Sequence, residues 1–353
     1  MILYERMMRR CFELAQKGLG NVAPNPMVGC VIALDDQIIG EGYHQKYGGA
    51  HAEVNAIRSV KDVELLKKAT LYVNLEPCSH HGQTPPCSDL INKMGIPKLI
   101  ISNLDPNPKV AGKGVKQLKS NGIEVISGVL EKEGDIVNQR FFTFHRKKRP
   151  YIILKWAKTL DGFMDIDRSD PDKKHHYWIT NPELKQWVHK WRSEETAIVI
   201  GAQTAINDNP MLNVREWEGT NPIRIVVTKD NELPTNLSVF NNLAKTIIFT
   251  SLNLKYPGEN TSTIQLKPED MFLENVLFEL YKLDIQSVFV EGGFQLLKSL
   301  IDINIWDEAR VLTGNKYFQK GQYAPVLPHQ AVKKTIINKD FFELYINHNN
   351  IEV

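Results

Sequence analysis

The most constraining feature of the chain is a set of metal-binding residue types divided among three short segments in its first hundred residues. The segments are His51-Ala52-Glu53, Pro77-Cys78 and Pro86-Cys87. One imidazole and two thiolates are suitable ligands for zinc, and three protein ligands leave the fourth tetrahedral position for water. The carboxylate two residues from the imidazole could move the protons of that water. The pattern favours a hydrolytic metal centre, which requires a domain that brings distant segments together.

The segments around these residues predict the local structure that would hold such a centre. We expect Cys87 in the first turn of a helix that begins at Pro85-Pro86 and runs to Met94. We expect His51 to open another helix, which ends near Val60. Helix N-termini stabilise negative charge, so thiolates are favoured there and the ligands would sit on rigid elements.

Two alternatives to a catalytic metal centre stay open at this point. The two cysteines could be buried thiols with an unrelated histidine. His80 or His81 could also close the fourth position of a purely structural zinc site. Glu53 argues against the structural site, because such a site does not need a carboxylate.

Length, charge and cysteine content narrow the class of protein. A chain of 353 residues exceeds what one core usually serves, so two domains are expected. Lys plus Arg total 43 and Asp plus Glu total 41, and this balance gives no global electrostatic case for nucleic-acid binding. Four cysteines are too few for a disulfide framework, which predicts a reducing, cytoplasmic setting. Charges within residues 1–17 and the lack of an 18-residue apolar run predict a soluble protein without a membrane segment.

Alternating strands and helices predict a layered α/β domain in the first half of the chain. The first element is an amphipathic helix that ends near residues 18–20 and places Cys11 in a core. A small buried side chain is also the expected role of Cys30. A later helix is expected over residues 135–144. The strands expected in this half are residues 28–34, 37–43, 70–75, 98–102 and 124–126.

A basic segment, Arg146-Lys147-Lys148-Arg149-Pro150, marks the expected domain boundary, and we divide the chain into residues 1–146 and 150–353. Such a run is typical of a solvated linker, with nucleic-acid binding as the alternative. The second half repeats the α/β pattern, with helices expected over residues 182–191 and 294–300. The strands expected there are residues 151–156, 196–201, 223–228, 246–250 and 287–291.

The second half contains no G-x-G-x-x-G motif, so a Rossmann cofactor site is not indicated. Instead Gly292-Gly293 stands between the strand ending at Glu291 and the helix beginning at Phe294. Glycines at such a turn let backbone N–H groups approach a phosphate, and the helix dipole adds to the attraction. A tight turn without any ligand would also explain the pair.

The order of the metal-binding residues matches the signature of zinc nucleobase deaminases, H-x-E followed by P-C and a second cysteine. Here the second cysteine arrives nine positions after the first instead of three. This signature and four segments of the first half resemble the bifunctional deaminase/reductase family of riboflavin biosynthesis. Those segments are Ala23-Pro24-Asn25-Pro26-Met27-Val28-Gly29-Cys30, Gly42-Tyr43-His44, Leu75-Glu76-Pro77-Cys78-Ser79-His80-His81-Gly82 and Asp105-Pro106-Asn107-Pro108.

The resemblance implies a first domain with the cytidine-deaminase-like fold, a three-layer α/β/α arrangement. Its substrate would be 2,5-diamino-6-(5-phosphoribosylamino)pyrimidin-4-one, with zinc held by His51, Cys78 and Cys87. Hydroxide generated at the zinc would attack the amino-bearing ring carbon. Glu53 would act as the base and then deliver the proton to departing ammonia.

The resemblance also assigns substrate contacts in this domain. Asn25 and His44 match positions of the motif that face the base in this family. Without the resemblance, they could be a turn asparagine and a surface histidine. Gln83 stands where the family often carries Lys or Arg, so a phosphate contact is not carried over to that position.

The second half contains Thr159-Leu160-Asp161-Gly162, Trp178-Ile179-Thr180, Gly201-Ala202-Gln203-Thr204 and Glu291-Gly292-Gly293. These segments resemble the reductase part of the same family, which has a dihydrofolate-reductase-like α/β fold and uses NADPH. The implied reaction reduces the ribosyl group of 5-amino-6-(5-phosphoribosylamino)uracil to ribityl. The residues that the resemblance assigns to the cofactor are Trp178, Thr204, Asp208 and Gly293. Those that it assigns to the substrate are Arg192, Leu212, Arg215 and Glu291.

Several residues of the second half have competing interpretations. Arg192 and Arg215 suit a phosphate because guanidinium groups pair with its oxygens bidentately, but either could be a surface ion pair. Trp178 could be a core aromatic residue. Lys155 could polarise the sugar carbonyl, or its side chain could place the ammonium group in solvent. Residues 163–177 depart from the family pattern, so the substrate contact normally made there is not transferred.

The sequence therefore predicts a zinc- and NADPH-dependent enzyme that acts on a small phosphorylated pyrimidine, without nucleic-acid or membrane partners. Self-association through the reductase half would fit the family. One rival function is a cytosine or tRNA-adenosine deaminase with an accessory domain. The other is a scaffold without turnover that zinc stabilises.

Overall fold

The computed structural model describes residues 2–79, 85–107, 111–168, 178–268 and 271–348. The chain forms two compact units, residues 1–148 and 149–353, and the division falls inside the basic segment 146–150. In the part of the chain that is described, no helix combines the length and the apolar character needed to cross a bilayer.

The first unit contains one five-stranded sheet with the strand order β2-β1-β3-β4-β5. Strand β1 pairs antiparallel with β2 and β3, whereas β3, β4 and β5 are parallel. The strands are β1 Gly29–Leu34, β2 Gln37–Tyr43, β3 Thr70–Leu75, β4 Lys98–Asn103 and β5 Glu124–Ile126. The helices are α1 Ile2–Gln16, α2 Ala52–Ser59, α3 Cys87–Lys93, α4 Lys113–Ser120, α5 Glu131–Val137 and α6 Gln139–Lys147, with a 3₁₀ helix over Val63–Lys68.

Both faces of this sheet are covered by helices. Successive residues of a strand point to opposite faces, so Cys30 and Ile32 pack with α2, α3 and α4, whereas Val31 and Ala33 pack with α1 and the end of α5. Cys11 and Cys30 are fully buried in these two cores, as predicted. The result is the three-layer α/β/α arrangement that the sequence led us to expect.

The helical structure expected over residues 135–144 is confirmed except at Asn138, where it is interrupted. Helix α5 ends at Val137, helix α6 begins at Gln139, and Asn138 between them has φ −104° and ψ 26°, outside the helical range. The Asn138 side chain hydrogen-bonds the backbone of Met27 instead of facing solvent. A contact that distant in sequence leaves no local trace in the helical pattern.

The second unit contains a nine-stranded sheet with the order β11-β10-β9-β8-β12-β6-β13-β16-β15 and a small hairpin of β7 and β14. Along this order, each strand from β11 to β13 is parallel to its neighbours. Strand β16 pairs antiparallel with β13, and β15 pairs antiparallel with β16. The strands are β6 Tyr151–Thr159, β7 Phe163–Ile166, β8 Ala197–Gly201, β9 Ile223–Thr228, β10 Thr246–Thr250, β11 Thr261–Gln265, β12 Ser287–Val290, β13 Glu308–Gly314, β14 Gly321–Tyr323, β15 Lys333–Ile337 and β16 Asp340–Ile346. The helices are α7 Pro182–Glu194, α8 Ala202–Asp208, α9 Phe272–Lys282 and α10 Phe294–Asp302, with a 3₁₀ helix over Ser238–Phe240.

Apart from the polar edge strand β11, the parallel strands of this sheet are largely buried on both faces, which explains their mainly apolar sequences. In β6, Ile152 and Leu154 pack with α9 and α10, whereas Tyr151 and Ile153 pack with α7. Because carboxyl ends of parallel strands meet at one edge, the residues that follow β8, β9 and β12 share that edge.

Candidate active sites

The structure brings His51, Cys78 and Cys87 together, and their ligand atoms all lie within 4.8 Å of one another. The His51 Nδ1 atom is 3.5 Å from the Cys78 sulfur and 3.3 Å from the Cys87 sulfur. Tetrahedral zinc, with bonds of about 2.3 Å to sulfur and about 2.0 Å to nitrogen, would separate such atoms by roughly 3.5 Å. The donor set and its spacing therefore fit zinc.

Three different elements position these ligands. His51 is the residue immediately before α2, Cys87 is the first residue of α3, and Cys78 lies in the segment after β3. The Cys87 backbone N–H donates to the Cys78 sulfur at 3.4 Å. The beginning of α3 thus stabilises negative charge on a thiolate, as we expected from Pro85-Pro86.

Glu53 lies in the first turn of α2 and is only 3% exposed. Burial, with a smaller contribution from the Cys78 thiolate, raises the pKa of Glu53 to about 6. A carboxyl group with a pKa near the working pH can both accept and donate a proton. The environment of Glu53 suits a proton carrier beside the metal ligands.

Asn25 and His44 meet near these ligands. The Asn25 Nδ2 atom is 3.0 Å from His44 Nε2, and His44 Nδ1 is 3.0 Å from the Ala50 carbonyl oxygen. Since the carbonyl can only accept, we assign the proton of neutral His44 to Nδ1, and Nε2 accepts from Asn25. His44 is 2% exposed, so the surface-histidine alternative is wrong, and burial lowers its pKa. The ring of His44 also meets the ring of His51 edge to face, at 5.6 Å between centroids.

A buried carboxylate that sequence reasoning missed supports the Cys78 segment. Glu76 accepts hydrogen bonds from the backbone N–H groups of Asp105, Gly112 and Val115, at 3.3, 2.9 and 3.2 Å. A Cβ atom on Gly114 would lie 2.3 Å from the Pro77 carbonyl oxygen, so only glycine permits this approach. The available signal was the resemblance of both the Glu76 and the Asp105 segments to one family. His80, His81 and Gln83 lie outside the described residues.

The second unit has a cavity of about 1490 Å³ at the carboxyl edge of its parallel strands. Seven of the eight residues that we assigned to cofactor and substrate line it, namely Trp178, Thr204, Asp208, Gly293, Arg192, Leu212 and Glu291. Arg215 lies apart from this lining, with a side chain that is 41% exposed and an Nη1 atom that donates to Asn213 Oδ1 at 3.1 Å. The cavity thus gathers most of the predicted residues in one place.

A buried charge cluster forms one wall of the cavity. The Nε and Nη2 atoms of Arg192 donate to the two carboxylate oxygens of Glu291 at 2.6 and 2.9 Å, and Lys155 Nζ lies 3.6 Å from Glu291. Burial alone would raise the pKa of Glu291, but the charges of Arg192 and Lys155 outweigh it and hold the pKa at about 2. Burial lowers the pKa of Lys155. The surface interpretations of Arg192 and Lys155 are therefore wrong, and the bidentate face of Arg192 is occupied by Glu291.

Trp178 and Asp208 each interact with a cationic side chain. The Trp178 residue is 44% exposed and its ring lies 4.6 Å from the Lys185 ammonium group, so the core-aromatic interpretation is wrong. Asp208 accepts from Arg168 Nη2 at 2.6 Å, and Asp165 holds the Nε atom of the same guanidinium at 2.6 Å. The pairing of Arg168 was not foreseen because residues 163–177 depart from the family pattern. Residues 169–177 lie outside the described part.

Close packing explains the glycine pair after β12. Gly293 immediately precedes α10 with φ −67°, an ordinary value for any residue. A Cβ atom there would lie 2.8 Å from the Thr204 hydroxyl oxygen, and one on Gly292 would lie 2.9 Å from Leu296 Cδ2. The glycines therefore permit close approach, and the N-terminus of α10 opens into the cavity where a phosphate would be stabilised.

Comparison with known proteins identifies the class. Residues 1–103 match the cytidine and deoxycytidylate deaminase zinc-binding region, and residues 150–331 match the RibD C-terminal domain. The second match alone covers about half of the chain. The chain is therefore an enzyme that joins a zinc-binding deaminase region to a reductase domain, and the predicted fold class is confirmed.

Individual relatives agree over most of the chain. Riboflavin biosynthesis protein RibD of Actinobacillus pleuropneumoniae is 39% identical over 307 residues, which cover 84% of this chain and 80% of the relative. The Aquifex aeolicus protein of the same name is 39% identical over 322 residues, which cover 89% and 87%. The crystal structure of a diaminohydroxyphosphoribosylaminopyrimidine deaminase/5-amino-6-(5-phosphoribosylamino)uracil reductase from Thermotoga maritima is 38% identical, with a TM-score of 0.86 and coverage of 97% and 98%.

The chain belongs to the RibD family, whose members act in riboflavin biosynthesis. This assignment confirms the predicted deaminase and reductase functions and disfavours both rivals, the nucleobase deaminase with an accessory domain and the scaffold without turnover.

Proposed function

We propose that this chain catalyses two successive reactions of riboflavin biosynthesis. Residues 1–146 deaminate 2,5-diamino-6-(5-phosphoribosylamino)pyrimidin-4-one, and residues 150–353 use NADPH to reduce the ribosyl group of 5-amino-6-(5-phosphoribosylamino)uracil to ribityl. The observation that carries the proposal is the buried Glu53 beside the gathered ligand atoms of His51, Cys78 and Cys87. The Thermotoga maritima relative, whose name gives both activities, supports it.

In the deaminase unit, His51, Cys78 and Cys87 hold the metal, and Glu53 moves the protons. Bound zinc supplies Lewis acidity that makes water a nucleophile near neutral pH. The Glu53 carboxylate would take one proton from the attacking water and pass it to the amino nitrogen, which would leave as ammonia, while the ring carbon keeps the oxygen and the adjacent ring nitrogen the other proton. Asn25 and His44 bind the polar edge of the pyrimidine.

In the reductase unit, the cavity holds both the cofactor and the sugar. Bound NADPH would supply the hydride for C1 of the ring-opened ribose, and the carbonyl oxygen would take a proton from water. Lys155 donates a hydrogen bond to the sugar carbonyl and Glu291 orients the Lys155 ammonium group. The residues proposed to contact the cofactor are Trp178, Thr204, Asp208 and Gly293, and those proposed to contact the substrate are Arg192, Leu212, Arg215 and Glu291. The cavity volume and the N-terminus of α10 support a phosphate-bearing cofactor there.

Assembly and location complete the proposal. The chain acts on a small molecule rather than on nucleic acid, works in the cytoplasm and self-associates through residues 150–353. Light scattering of the purified protein tests the assembly, and a mass equal to one chain would contradict it.

A single experiment tests both reactions. The purified protein is incubated with the diaminopyrimidinone substrate, with and without NADPH, and the products are resolved by mass. Without NADPH we expect exchange of the amino group for oxygen and release of ammonia, and with NADPH we also expect addition of two hydrogens. Unchanged substrate under both conditions would sink the proposal.

The Glu53→Gln variant tests the assignment of the proton carrier. It should bind zinc in the normal amount and reduce the uracil substrate normally, because Glu53 is neither a proposed zinc ligand nor part of the reductase unit. Ammonia release should fall by about 10²–10⁴-fold, the usual contribution of a positioned acid or base. Ammonia release at the normal rate would show that another group moves the proton.

A further inference from the structure

Two buried side-chain amides hold the segment that carries Asn25. The Met27 N–H donates to Asn138 Oδ1 at 2.8 Å, and Asn138 Nδ2 donates back to the Met27 carbonyl oxygen at 2.9 Å. Asn74 Nδ2 donates to the same carbonyl at 3.0 Å, and Asn74 Oδ1 accepts from the Gly29 N–H at 2.8 Å. An amide side chain offers both a donor and an acceptor, so Asn138 pairs with Met27 as a neighbouring strand would.

This segment leads directly to the proposed substrate contacts. Asn25 is two residues before Met27, and the next carbonyl, that of Val28, accepts from the His44 N–H at 2.8 Å. The side chains of Asn25 and His44 then meet at 3.0 Å. His44 reaches the carbonyl of Ala50, the residue before the metal ligand His51, at 3.0 Å. The backbone is thus fixed on one side by asparagines and faces the site on the other.

Apolar side chains of α6 also pack against the segment that follows Met27. Phe141 and Phe142 form a buried cluster with Leu75, the last residue of β3, and Val28 packs against it. The short helices α5 and α6 therefore meet the site at Asn138, which is 2% exposed. Asn138 lies beyond residues 1–103, the part that matches the deaminase zinc-binding region.

We propose that Asn138, with Asn74, is a positioning residue of the deaminase site, whose amide holds the Met27 backbone so that Asn25 and His44 face the pyrimidine. The inference rests on the substrate contacts given under the proposed function. In this proposal, helices α5 and α6 contribute to deamination because they hold Asn138 in place.

The Asn138→Ala variant of the full-length protein tests this role through steady-state deamination. Because both hydrogen bonds between Asn138 and Met27 are lost and only the one from Asn74 remains, we expect the KM for the diaminopyrimidinone to rise about tenfold or more, with a smaller change in kcat. Zinc content should stay normal because no metal ligand is touched. Reduction of the uracil substrate by the same sample should also stay normal.

Val137→Ala is the matched control, since Val137 is the adjacent buried residue and packs in the core beneath α1. It should lower the melting temperature without changing KM. If Asn138→Ala does not fold, Asn138→Asp replaces it, because the aspartate keeps the acceptor for the Met27 N–H but turns a second oxygen toward the Met27 carbonyl. An unchanged KM in the folded Asn138 variant would overturn the proposal, whatever its melting temperature.

Asn25→Ala and His44→Ala, measured alongside, separate this inference from the proposed function. If both raise KM and the Asn138 variant does not, the substrate contacts stand and the positioning role is wrong. If neither raises KM, the substrate contacts themselves are wrong and the positioning role falls with them.

Discussion

A buried cluster in the second unit consists of two cations, Lys155 and Arg192, and one carboxylate, Glu291. Pairing with Glu291 stabilises both cations. Removing charges from water is costly unless they are paired and hydrogen-bonded, and Glu291 supplies that pairing to both cations. The carboxylate also keeps the Lys155 ammonium group beside the cavity, where the proposed reduction needs it. Substitution of Glu291 therefore leaves two buried cations without a compensating charge, whereas substitution of Lys155 or Arg192 leaves one ion pair.

The depressed pKa of Glu291 predicts how stability depends on acid. Its folded-state pKa of about 2 lies below the usual 4.5, so the unfolded chain binds more protons between these values. The stabilisation by Glu291 is fully present above about pH 4.5 and is lost as the pH falls toward 2. Urea unfolding at several pH values should show that Glu291→Gln loses free energy of unfolding less steeply than the wild type in this window. Equal slopes would contradict the assigned pairing.

Residues that carry chemistry could be predicted from the sequence, whereas those that position them could not. His51, Glu53 and the two cysteines stand in an order that few sequences share, so their types alone indicated a metal centre. Asn138 acts by binding the backbone of Met27, which is 111 positions away, and no local sequence pattern predicts that contact. The helical pattern of residues 135–144 did not indicate the break at Asn138 either.

At the scale of elements, the beginning of α4 depends on one carboxylate. Glu76 binds the N–H groups of Gly112, the residue immediately before α4, and of Val115 in its first turn, where N–H groups have no acceptor within the helix. Since Glu76 lies two residues before Cys78, the same contact fixes the entry to the metal segment. The helix and the ligand segment are therefore held as one piece.

Loss of this contact should destabilise the first unit. Glu76→Ala leaves buried backbone N–H groups without an acceptor, and we expect its free energy of unfolding to fall by about 2–4 kcal/mol. Glu64→Ala, at an exposed carboxylate paired with Lys67, is the control and should change it by less than about 0.5 kcal/mol. Urea unfolding measures both, and hydrogen exchange at Gly112 and Val115 should accelerate only in the first variant. Equal stability of the two variants would exclude an anchoring role.

The elements that the sequence predicted well are those whose packing is simplest. The strands at residues 70–75, 223–228 and 246–250 have the expected bounds, because these buried strands are mainly apolar, with Asn74 and Arg224 as exceptions. Helix α4, with the sequence KGVKQLKS, was missed because it is short and mostly polar. Strand β13 was missed because it begins with Glu308, a buried charge that is stabilised by Arg310 of the same strand and by the Tyr151 hydroxyl of β6.

At the scale of the whole molecule, each unit has its own buried cores and its own proposed chemistry. Length predicted two domains and the alternation of strands and helices predicted their class, but neither could indicate a nine-stranded sheet with two antiparallel strands at one edge. The division of activities between residues 1–146 and 150–353 stays a prediction. Its consequence is that damage to one unit should spare the reaction of the other.

Metal removal tests this independence. Among the described residues, the group formed by His51, Cys78 and Cys87 is the one whose ligand atoms could hold a metal ion, and it belongs to the first unit. Treatment with a zinc chelator should therefore abolish ammonia release and leave NADPH oxidation with the uracil substrate unchanged. Elemental analysis should find one zinc per chain before treatment, and added zinc should restore deamination. Deamination that persists without metal would contradict the zinc mechanism, and parallel loss of both activities would contradict the independence of the two units.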